Sequence, residues 1–379
     1  MSTILIKNGT LIDGSGSKRY LADILIENEK IKKIGKLDLT ADKVIDASGK
    51  IVSPGFIDTH SHSDLKVLIE PFVEPKIRQG ITTEILGQDG ISMAPLPEKY
   101  VSSWRKNLAG LDGDSDELKW DWKNTDGYLN LISKTGSGPN ELYLVPHGNI
   151  RMEAMGLEAR VATKEELEKM KEITRREMEA GVAGLSTGLI YIPCAYAETE
   201  ELIEICKVAA EYGRPLVIHQ RSEADTMLES MQEVIRIAKE SGVKIHFSHF
   251  KICGQKNWKL IEPVIALLDK CKEEGINVSY DQYPYVAGST MLGVILPPWA
   301  HAGGTDKLIE RLKDKSLRQK MKKDIIEGIP GWDNFIDFAG FDGIYVTSVK
   351  TDKNQDCIGK NLTEIAEMRG KEKFDAVFD

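Results

Sequence analysis

Cysteine is scarce in this sequence, and its spacing excludes two common roles. The 379 residues include five cysteines, and none of them form a CxxC pair. An odd, scattered set argues against a disulfide framework and against a zinc ribbon. It favours a reducing compartment, so we expect a cytoplasmic protein. The five positions are Cys194, Cys206, Cys253, Cys271 and Cys357.

The sequence also lacks long apolar runs and basic stripes. No run is long enough to cross a bilayer, and Met1 to Leu11 lacks the basic flank and unbroken apolar core of a signal peptide. The formal net charge of −9, without a stripe of lysine and arginine, argues against nucleic-acid binding, which depends on phosphate neutralisation. We therefore expect a soluble globular protein whose partners are small molecules, with no membrane and no nucleic acid.

Residues 1–50 have the alternation of short β-strands. Ile4 to Gly9, Ala22 to Asn28 and Lys43 to Asp46 alternate in polarity, and turn residues such as Asp13-Gly14 and Ser48-Gly49 punctuate them. This spacing predicts a small antiparallel β unit.

From residue 51 a different unit repeats, in which a helical pattern closes with glycine and a short β-rich run follows. One such helix starts at a capping box, Thr163 to Glu166, and ends at Gly181. Strands that alternate with helices predict parallel pairing through right-handed crossovers. The seven predicted strands are Ile51 to His60, Ile81 to Leu86, Leu142 to Pro146, Ala183 to Thr187, Pro215 to His219, Lys244 to His249 and Asn277 to Tyr283.

This repeat predicts an α/β fold, a (β/α)₈ TIM barrel over residues 51–379, whose polar residues collect where the strands end. An open doubly wound sheet is the rival fold, but no glycine-rich phosphate turn follows the first strand. The repeat breaks after Tyr285, and we interpret residues of about 290–355 as an insertion that forms a lid or rim. A helical pattern returns at residues 361–379. By this count we expect the eighth strand to be missing from this chain.

Four histidines fall at the ends of three predicted strands. His60 and His62 share one face of the first strand because side chains alternate with a period of two. His219 ends the fifth strand and His249 ends the sixth. Because the strand ends of a barrel meet at one rim, this set predicts a site for zinc or another divalent ion.

The other three histidines are assigned differently. His246 has the opposite parity to His249, so we interpret it as a structural histidine between barrel and helices. His147 ends the third strand, and the pattern leaves its role open. His301 lies in the insertion and is expected at the rim or in solvent.

A turn with two glycines, Gly87-Gln88-Asp89-Gly90, ends the second predicted strand. Glycines let the backbone turn tightly and bring one side chain inward, so Asp89 is a candidate carboxylate ligand. The alternative is an ordinary Asx turn, which the same glycines fit equally well.

With these residues placed, the sequence resembles the amidohydrolase superfamily and, within it, the N-acyl-D-amino-acid deacylases, or D-aminoacylases. The resemblance is carried by residues 54–64 (PGFIDTHSHSD), 184–191 (GLSTGLIY), 248–251 (SHFK) and 296–300 (LPPWA). The first stretch is shared by the superfamily, whereas 184–191 and 296–300 resemble the deacylase branch.

The resemblance implies roles for particular residues. His60, His62, His219 and His249 match the family's metal ligands for one or two zinc ions, with other divalent metals as an alternative. Tyr191, Lys251 and Ser289 match positions that contact the substrate's acyl and carboxylate groups. The N-terminal strands match half of a small β-sandwich that C-terminal strands complete.

Two features depart from the family pattern. Many members have a metal-binding cysteine where this sequence has Asp89, a harder ligand that can still bind or bridge an ion. The family's general-base aspartate, which follows the eighth strand, is expected beyond Asp379.

The resemblance implies a hydrolase of linear amide bonds that converts an N-acyl-D-amino acid to a carboxylate and a free D-amino acid. One alternative is a cyclic amidase similar to dihydroorotase, but these enzymes typically bridge two metals with a carboxylated lysine at strand four, and residues 184–191 contain no lysine. Another is a truncated, non-catalytic protein that binds a metal or a ligand.

Overall fold

The structure, a computed structural model, describes residues 2–379. Its N-terminal sheet is built around β1, which pairs antiparallel with β2 and parallel with both β4 and β5, while β3 extends the sheet beyond β2. Leu5, Leu11 and Ile24 are buried on this sheet. Its strands are β1 (Thr3–Leu11), β2 (Tyr20–Glu27), β3 (Lys30–Gly35), β4 (Lys43–Asp46) and β5 (Ile51–Val52).

The second sheet contains seven parallel strands, each hydrogen-bonded to its neighbours in sequence order. This order, with helices between the strands, confirms the predicted barrel type and excludes the doubly wound sheet, whose strand order reverses. The strands are β6 (Phe56–Asp58), β7 (Ile81–Leu86), β8 (Asn140–Pro146), β9 (Gly184–Gly188), β10 (Leu216–His219), β11 (Ile245–Phe247) and β12 (Val278–Tyr280).

The first predicted barrel strand, residues 51–60, is divided between the two sheets. Ile51–Val52 pairs with β1, and Phe56–Asp58 pairs with β7. Pro54 lies between them and has no amide hydrogen to donate to a ladder, which explains the break. The N-terminal sheet therefore reaches two residues past position 50.

Fourteen α-helices connect or follow the strands in residues 2–379. Thr163 caps α6 through the predicted capping box with Glu166. The helices are α1 (Lys66–Ile69), α2 (Glu74–Ile77), α3 (Val101–Leu108), α4 (Thr125–Thr135), α5 (His147–Met155), α6 (Lys164–Glu179), α7 (Thr199–Glu211), α8 (Met227–Ser241), α9 (Ile261–Glu273), α10 (Thr305–Lys313), α11 (Lys315–Glu327), α12 (Phe335–Ala339), α13 (Leu362–Arg369) and α14 (Lys373–Phe378). In the part of the chain that the structure describes, no helix is both long and apolar enough to cross a membrane.

The main core lies between the barrel strands and their helices, with Leu185, Ile218 and Phe247 among its buried side chains. At the two outer edges of the sheet, β6 and β12 have no further strand partner within residues 2–379. Ile57 and Tyr280 are exposed on these edge strands. The sheet is therefore an open, seven-stranded part of a barrel.

A second hydrophobic core lies within residues 295–378. Leu308 and Met321 of the predicted insertion pack in one cluster with Phe374 and Phe378 of the C-terminal helices. Within the predicted insertion, α10 and α11 are separated at Asp314, whose side chain accepts hydrogen bonds from the backbone amides that begin α11. We call residues 295–378 the accessory subdomain.

Candidate metal centre

His60 and His62 lie just beyond the end of β6, in the loop that opens toward the barrel mouth. The Oδ2 atom of Asp89 lies 3.7 Å from His60 Nε2 and 3.3 Å from His62 Nε2. The other ring nitrogen of His62, Nδ1, lies 3.2 Å from Asp112 Oδ1. We call His60 and His62 the β6 half of the site.

The turn that carries Asp89 is shaped by its two glycines. A Cβ on Gly87 would lie 2.1 Å from the Leu144 carbonyl oxygen, and one on Gly90 would lie 2.7 Å from Thr187 Cα, so both positions require glycine. Asp89 has a φ of 57°, a left-handed conformation that aspartate tolerates better than most residues. The turn thereby holds a buried carboxylate against the histidines.

His219 and His249 complete the cluster around Asp89, with the His249 ring 4.9 Å from that of His60. His219 is the last residue of β10, and His249 follows β11 by two residues. His219 Nδ1 and His249 Nε2 are 2.8 Å apart, and His249 Nε2 is 3.6 Å from Asp89 Oδ1. We call His219 and His249 the β10/β11 half of the site.

The two halves form two ligand groups that share Asp89. Within each group the candidate ligand atoms lie within 4.8 Å of one another: His60, His62 and Asp89 in one, and Asp89, His219 and His249 in the other. Asp89 Oδ1 is buried without a hydrogen-bond partner, as expected of an oxygen that faces a cation. Imidazole nitrogens with a carboxylate suit zinc and similar divalent ions, so these residues fit such an ion.

Burial and charge perturb the acid–base behaviour of the cluster. Burial alone would raise the pKa of Asp89, but His60 and the other histidines hold it well below its usual range. Burial lowers the pKa of His219 to about 3, an effect that Glu223 offsets only in part. For His249, burial is outweighed by Glu223 and Asp89, which raise its pKa to about 9. The pKa values of neighbouring groups in the site are therefore shifted in opposite directions, and such shifts are common at functional sites.

Two of the three predicted substrate residues lie beside this cluster. Lys251 Nζ donates to Glu223 Oε2 at 2.6 Å. The buried ring of Tyr191 lies 5.5 Å from that of His219, and the Tyr191 and Thr290 hydroxyls share a hydrogen bond of 2.9 Å. Ser289 is exposed, and within residues 2–379 its side chain makes no hydrogen bond. Its role stays a prediction, as do the ligand roles of the cluster.

Sequence reasoning missed three carboxylates that back the histidines. Asp112 contacts His62, Glu223 contacts His249, and Asp281 accepts a hydrogen bond from the His249 backbone amide. Asp281 directly follows β12, so its position at a strand end was a usable signal. Asp112 lies in a loop remote from any strand end, where the repeat carries no information.

The remaining histidines lie outside the cluster. His246 bonds Ser279 and Asp281 through its two ring nitrogens, which agrees with a structural role. His147 is fully buried and bonds Thr187 and Glu201. His301, which was expected at the rim or in solvent, is partly buried, and its Nε2 lies 3.0 Å from the Gly293 carbonyl oxygen.

Comparison with known proteins agrees with this geometry. Residues 43–282 match the amidohydrolase family. A D-aminoacylase from Alcaligenes xylosoxydans xylosoxydans is 36% identical over 290 residues, which are 76% of this chain and 58% of that protein. The chain therefore spans less than two thirds of that relative's length.

Solved structures give the same result. An N-acyl-D-glutamate deacylase from Bordetella bronchiseptica, complexed with zinc and a phosphonate mimic of the tetrahedral intermediate, is 31% identical with a TM-score of 0.81, covering 99% of this chain and 69% of that one. A D-aminoacylase studied for its binuclear metal centre is 30% identical with a TM-score of 0.78, with the same coverage. The chain belongs to the amidohydrolase family, in the group that contains the N-acyl-D-amino-acid deacylases.

Proposed function

We propose that this chain carries the hydrolytic site of a zinc-dependent N-acyl-D-amino-acid deacylase, which cleaves a linear amide to a carboxylate and a free D-amino acid. The observation that carries the proposal is the pair of ligand groups sharing Asp89, with Lys251 and Tyr191 beside them. Relatives that act on N-acyl-D-amino acids have the same fold and similar sequences.

Five side chains would hold one or two zinc ions: His60, His62, Asp89, His219 and His249. Other divalent metals with a preference for nitrogen and oxygen ligands fit the same donor set. The chemistry that such a site supplies is Lewis acidity, which favours attack of water on an amide carbonyl.

Lys251 would bind the substrate carboxylate. Its ammonium group lies within hydrogen-bond distance of Glu223 and of the His249 carbonyl, so it is held next to the ligands before substrate arrives. The hydroxyl of Tyr191, beside His219, would orient the acyl group. Ser289 is proposed as a third substrate contact, on the resemblance alone.

The proton acceptor of the reaction has no clear candidate in residues 2–379. Three carboxylates near the ligands already have partners: Asp112 with His62, Glu223 with His249 and Lys251, and Asp281 with His246. An aspartate after an eighth strand, expected from the family resemblance, stays the prediction for this role.

A cytoplasmic location is also part of the proposal. All five cysteines are free, and four of them are buried, which fits a reducing compartment. The proposed partners are small N-acyl-D-amino acids.

The test uses the protein as its gene encodes it, stripped with a chelator and reloaded with zinc. N-acetyl-D-methionine, N-acetyl-D-glutamate and N-acetyl-D-aspartate are compared with their L-enantiomers, and released amine is measured. Cleavage of at least one D-substrate that needs zinc and exceeds cleavage of the L-form is expected. Zinc binding without cleavage of any of them would refute the deacylase assignment and favour a binding protein.

A further inference from the structure

Glu223 has no assigned role, yet its side chain contacts both His249 of the β10/β11 half and the neighbouring Lys251. It lies four residues beyond His219 in the loop after β10 and is only 4% exposed. Its Oε1 atom is 3.1 Å from His249 Nδ1, and its Oε2 atom is 2.6 Å from Lys251 Nζ. One buried carboxylate therefore bridges a candidate metal ligand and the candidate substrate-binding lysine.

The backbone of Glu223 is fixed from two directions. Its amide donates to Asp333 Oδ2 at 2.7 Å, and its carbonyl accepts from the Cys253 amide at 2.7 Å. Asp333, which belongs to the accessory subdomain, also accepts a hydrogen bond from the Ser222 hydroxyl. These contacts hold the Glu223 carboxylate in place between its two partners.

The contact with His249 determines which ring nitrogen is available to a metal. A carboxylate at Nδ1 favours the tautomer with its proton on that atom, which leaves Nε2 free. In the structure Nε2 is the atom that faces Asp89 Oδ1 and His219 Nδ1. Glu223 thus orients the His249 ring toward the other ligands.

The contact with Lys251 offers a competing arrangement. Lys251 Nζ lies 3.0 Å from His249 Nδ1 as well as 2.6 Å from Glu223. If Nδ1 accepted a hydrogen bond from the lysine, it would carry no proton for Glu223 to accept, and Glu223 could not set the tautomer of His249. Glu223 is the partner that fits, because an Nδ1 without a proton would direct its lone pair at the carboxylate oxygen Oε1, 3.1 Å away. The ammonium group does not need Nδ1, since it already has two other acceptors, Glu223 Oε2 and the His249 carbonyl.

We propose that Glu223 is a positioning residue that couples the β10/β11 half of the metal centre to Lys251: it orients His249 for metal binding and holds the lysine at the substrate carboxylate. The part that concerns Lys251 rests on the proposed function, whereas the part that concerns His249 does not.

The first test measures metal affinity and the visible absorption of bound Co²⁺. Loss of a partner that orients a ligand typically weakens metal binding about 10–100-fold, so Glu223→Ala is expected to do so and to change the Co²⁺ spectrum. Glu223→Gln retains a neutral acceptor for Nδ1–H and should lose clearly less affinity than Glu223→Ala, about 10-fold at most. Glu201→Ala is the matched control, because Glu201 is equally buried and bonds His147, which is not a candidate ligand.

A second measurement does not depend on a folded variant. In the zinc-loaded wild-type protein, long-range ¹⁵N–¹H NMR should place the His249 proton on Nδ1. Wild-type metal affinity and spectrum in Glu223→Ala, or a His249 proton on Nε2, would overturn the inference and favour lysine as the partner of Nδ1. Absence of amide cleavage by the wild-type zinc protein would instead refute the proposed function, while the metal titration would still decide the role of Glu223.

Discussion

The two halves of the candidate metal centre contain the same types of side chain but have different surroundings. In each half a carboxylate lies at the Nδ1 atom of one histidine, Asp112 for His62 and Glu223 for His249. Lys251 pairs with Glu223. In residues 2–379, no lysine or arginine forms an ion pair with Asp112. Only the β10/β11 half therefore has a permanent cation beside its carboxylate.

The consequence is an excess of negative charge behind the β6 half. Asp64, whose carboxylate accepts from Ser92 and from the Gly87 amide, lies near Asp112. Burial, reinforced by the charge of Asp112, raises the pKa of Asp64 to about 7. Buried carboxylates without a cation take up protons. The β6 half has only a titratable cation, His62, whose pKa burial alone would lower but Asp112 and Asp89 raise, whereas the β10/β11 half has the permanent charge of Lys251.

The largest expected effect comes from Asp89→Asn, because both halves share this carboxylate and a single substitution changes a ligand of each. Asparagine tolerates the left-handed backbone at this position, so the turn should persist. Metal affinity should fall more than about 100-fold in both halves, beyond the loss typical of a residue that only orients a ligand. Calorimetric zinc titration measures it. Asp225→Asn, at an exposed pair with Lys256, is the control, and a loss confined to one half would show that Asp89 is not shared.

Asp112→Asn changes the surroundings of the β6 half alone, because Asp112 contacts His62. We expect the β6 half to lose affinity about 10-fold, because His62 keeps a neutral acceptor but loses a charged one. The metal-free protein should become more stable at pH 7, by on the order of 1 kcal/mol, because Asp64 no longer faces a second carboxylate. Urea unfolding in chelator measures this gain.

The control for that experiment is Asp114→Asn, since Asp114 lies two residues away and pairs with Arg105 and Lys350 instead of a ligand. A metal-free Asp112→Asn protein that is less stable than wild type would contradict the charge imbalance inferred for the β6 half.

Lys251→Met tests the cation of the β10/β11 half. If the lysine binds the substrate carboxylate, KM should rise by roughly 10-fold or more, the value of a hydrogen bond between charged groups, with a smaller change in kcat. Metal affinity should change little, since Glu223 remains at His249. Lys256→Met is the control, because Lys256 is exposed and pairs only with Asp225 and Asp337. An unchanged KM would remove Lys251 from substrate binding.

The barrel and the cluster of histidines were predictable because both follow from periodicity. The alternation of strands and helices placed His219 and His249 at strand ends, and parallel strands bring those ends to one rim. His60 and His62 lie slightly past their strand, yet the same reasoning located them. The pairing of Ile51–Val52 with the N-terminal sheet was not predictable from alternation, because both sheets accept such a strand.

The carboxylates behind the histidines were harder to predict. Glu223 and Asp112 lie in loops, where no period relates sequence position to direction. Asp333 is more than 100 residues from the backbone amide that it binds, and only the folding of the accessory subdomain brings it there. In the sequence, an acidic residue in such a segment cannot be distinguished from one that is exposed to solvent. Tertiary packing, and not local pattern, decides these contacts.

Asp333→Asn should have the smallest effect on the metal centre, because asparagine can still accept one of the two hydrogen bonds. We expect metal affinity at pH 7 to fall by only about 2–3-fold, through a looser Glu223. Its clearer signature is in stability. Burial raises the pKa of Asp333 to about 6, despite the hydrogen bonds from Ser222 and the Glu223 amide.

This raised pKa sets the direction of the pH dependence. Below about pH 4 the Asp333 carboxyl is protonated in both the folded and the unfolded chain, so it does not lower the free energy of unfolding. Between about pH 4 and 6 the carboxyl ionises in the unfolded chain but stays largely protonated in the folded one. Above pH 6 it is ionised in both, and the buried charge lowers the free energy of unfolding by roughly 1–3 kcal/mol. Wild type should therefore lose that much free energy of unfolding relative to Asp333→Asn across this range, as measured by urea unfolding in chelator. The exposed Asp337→Asn should show no such difference. A parallel pH dependence of wild type and Asp333→Asn would mean that Asp333 ionises freely and that the accessory subdomain does not hold Glu223 through a desolvated carboxylate.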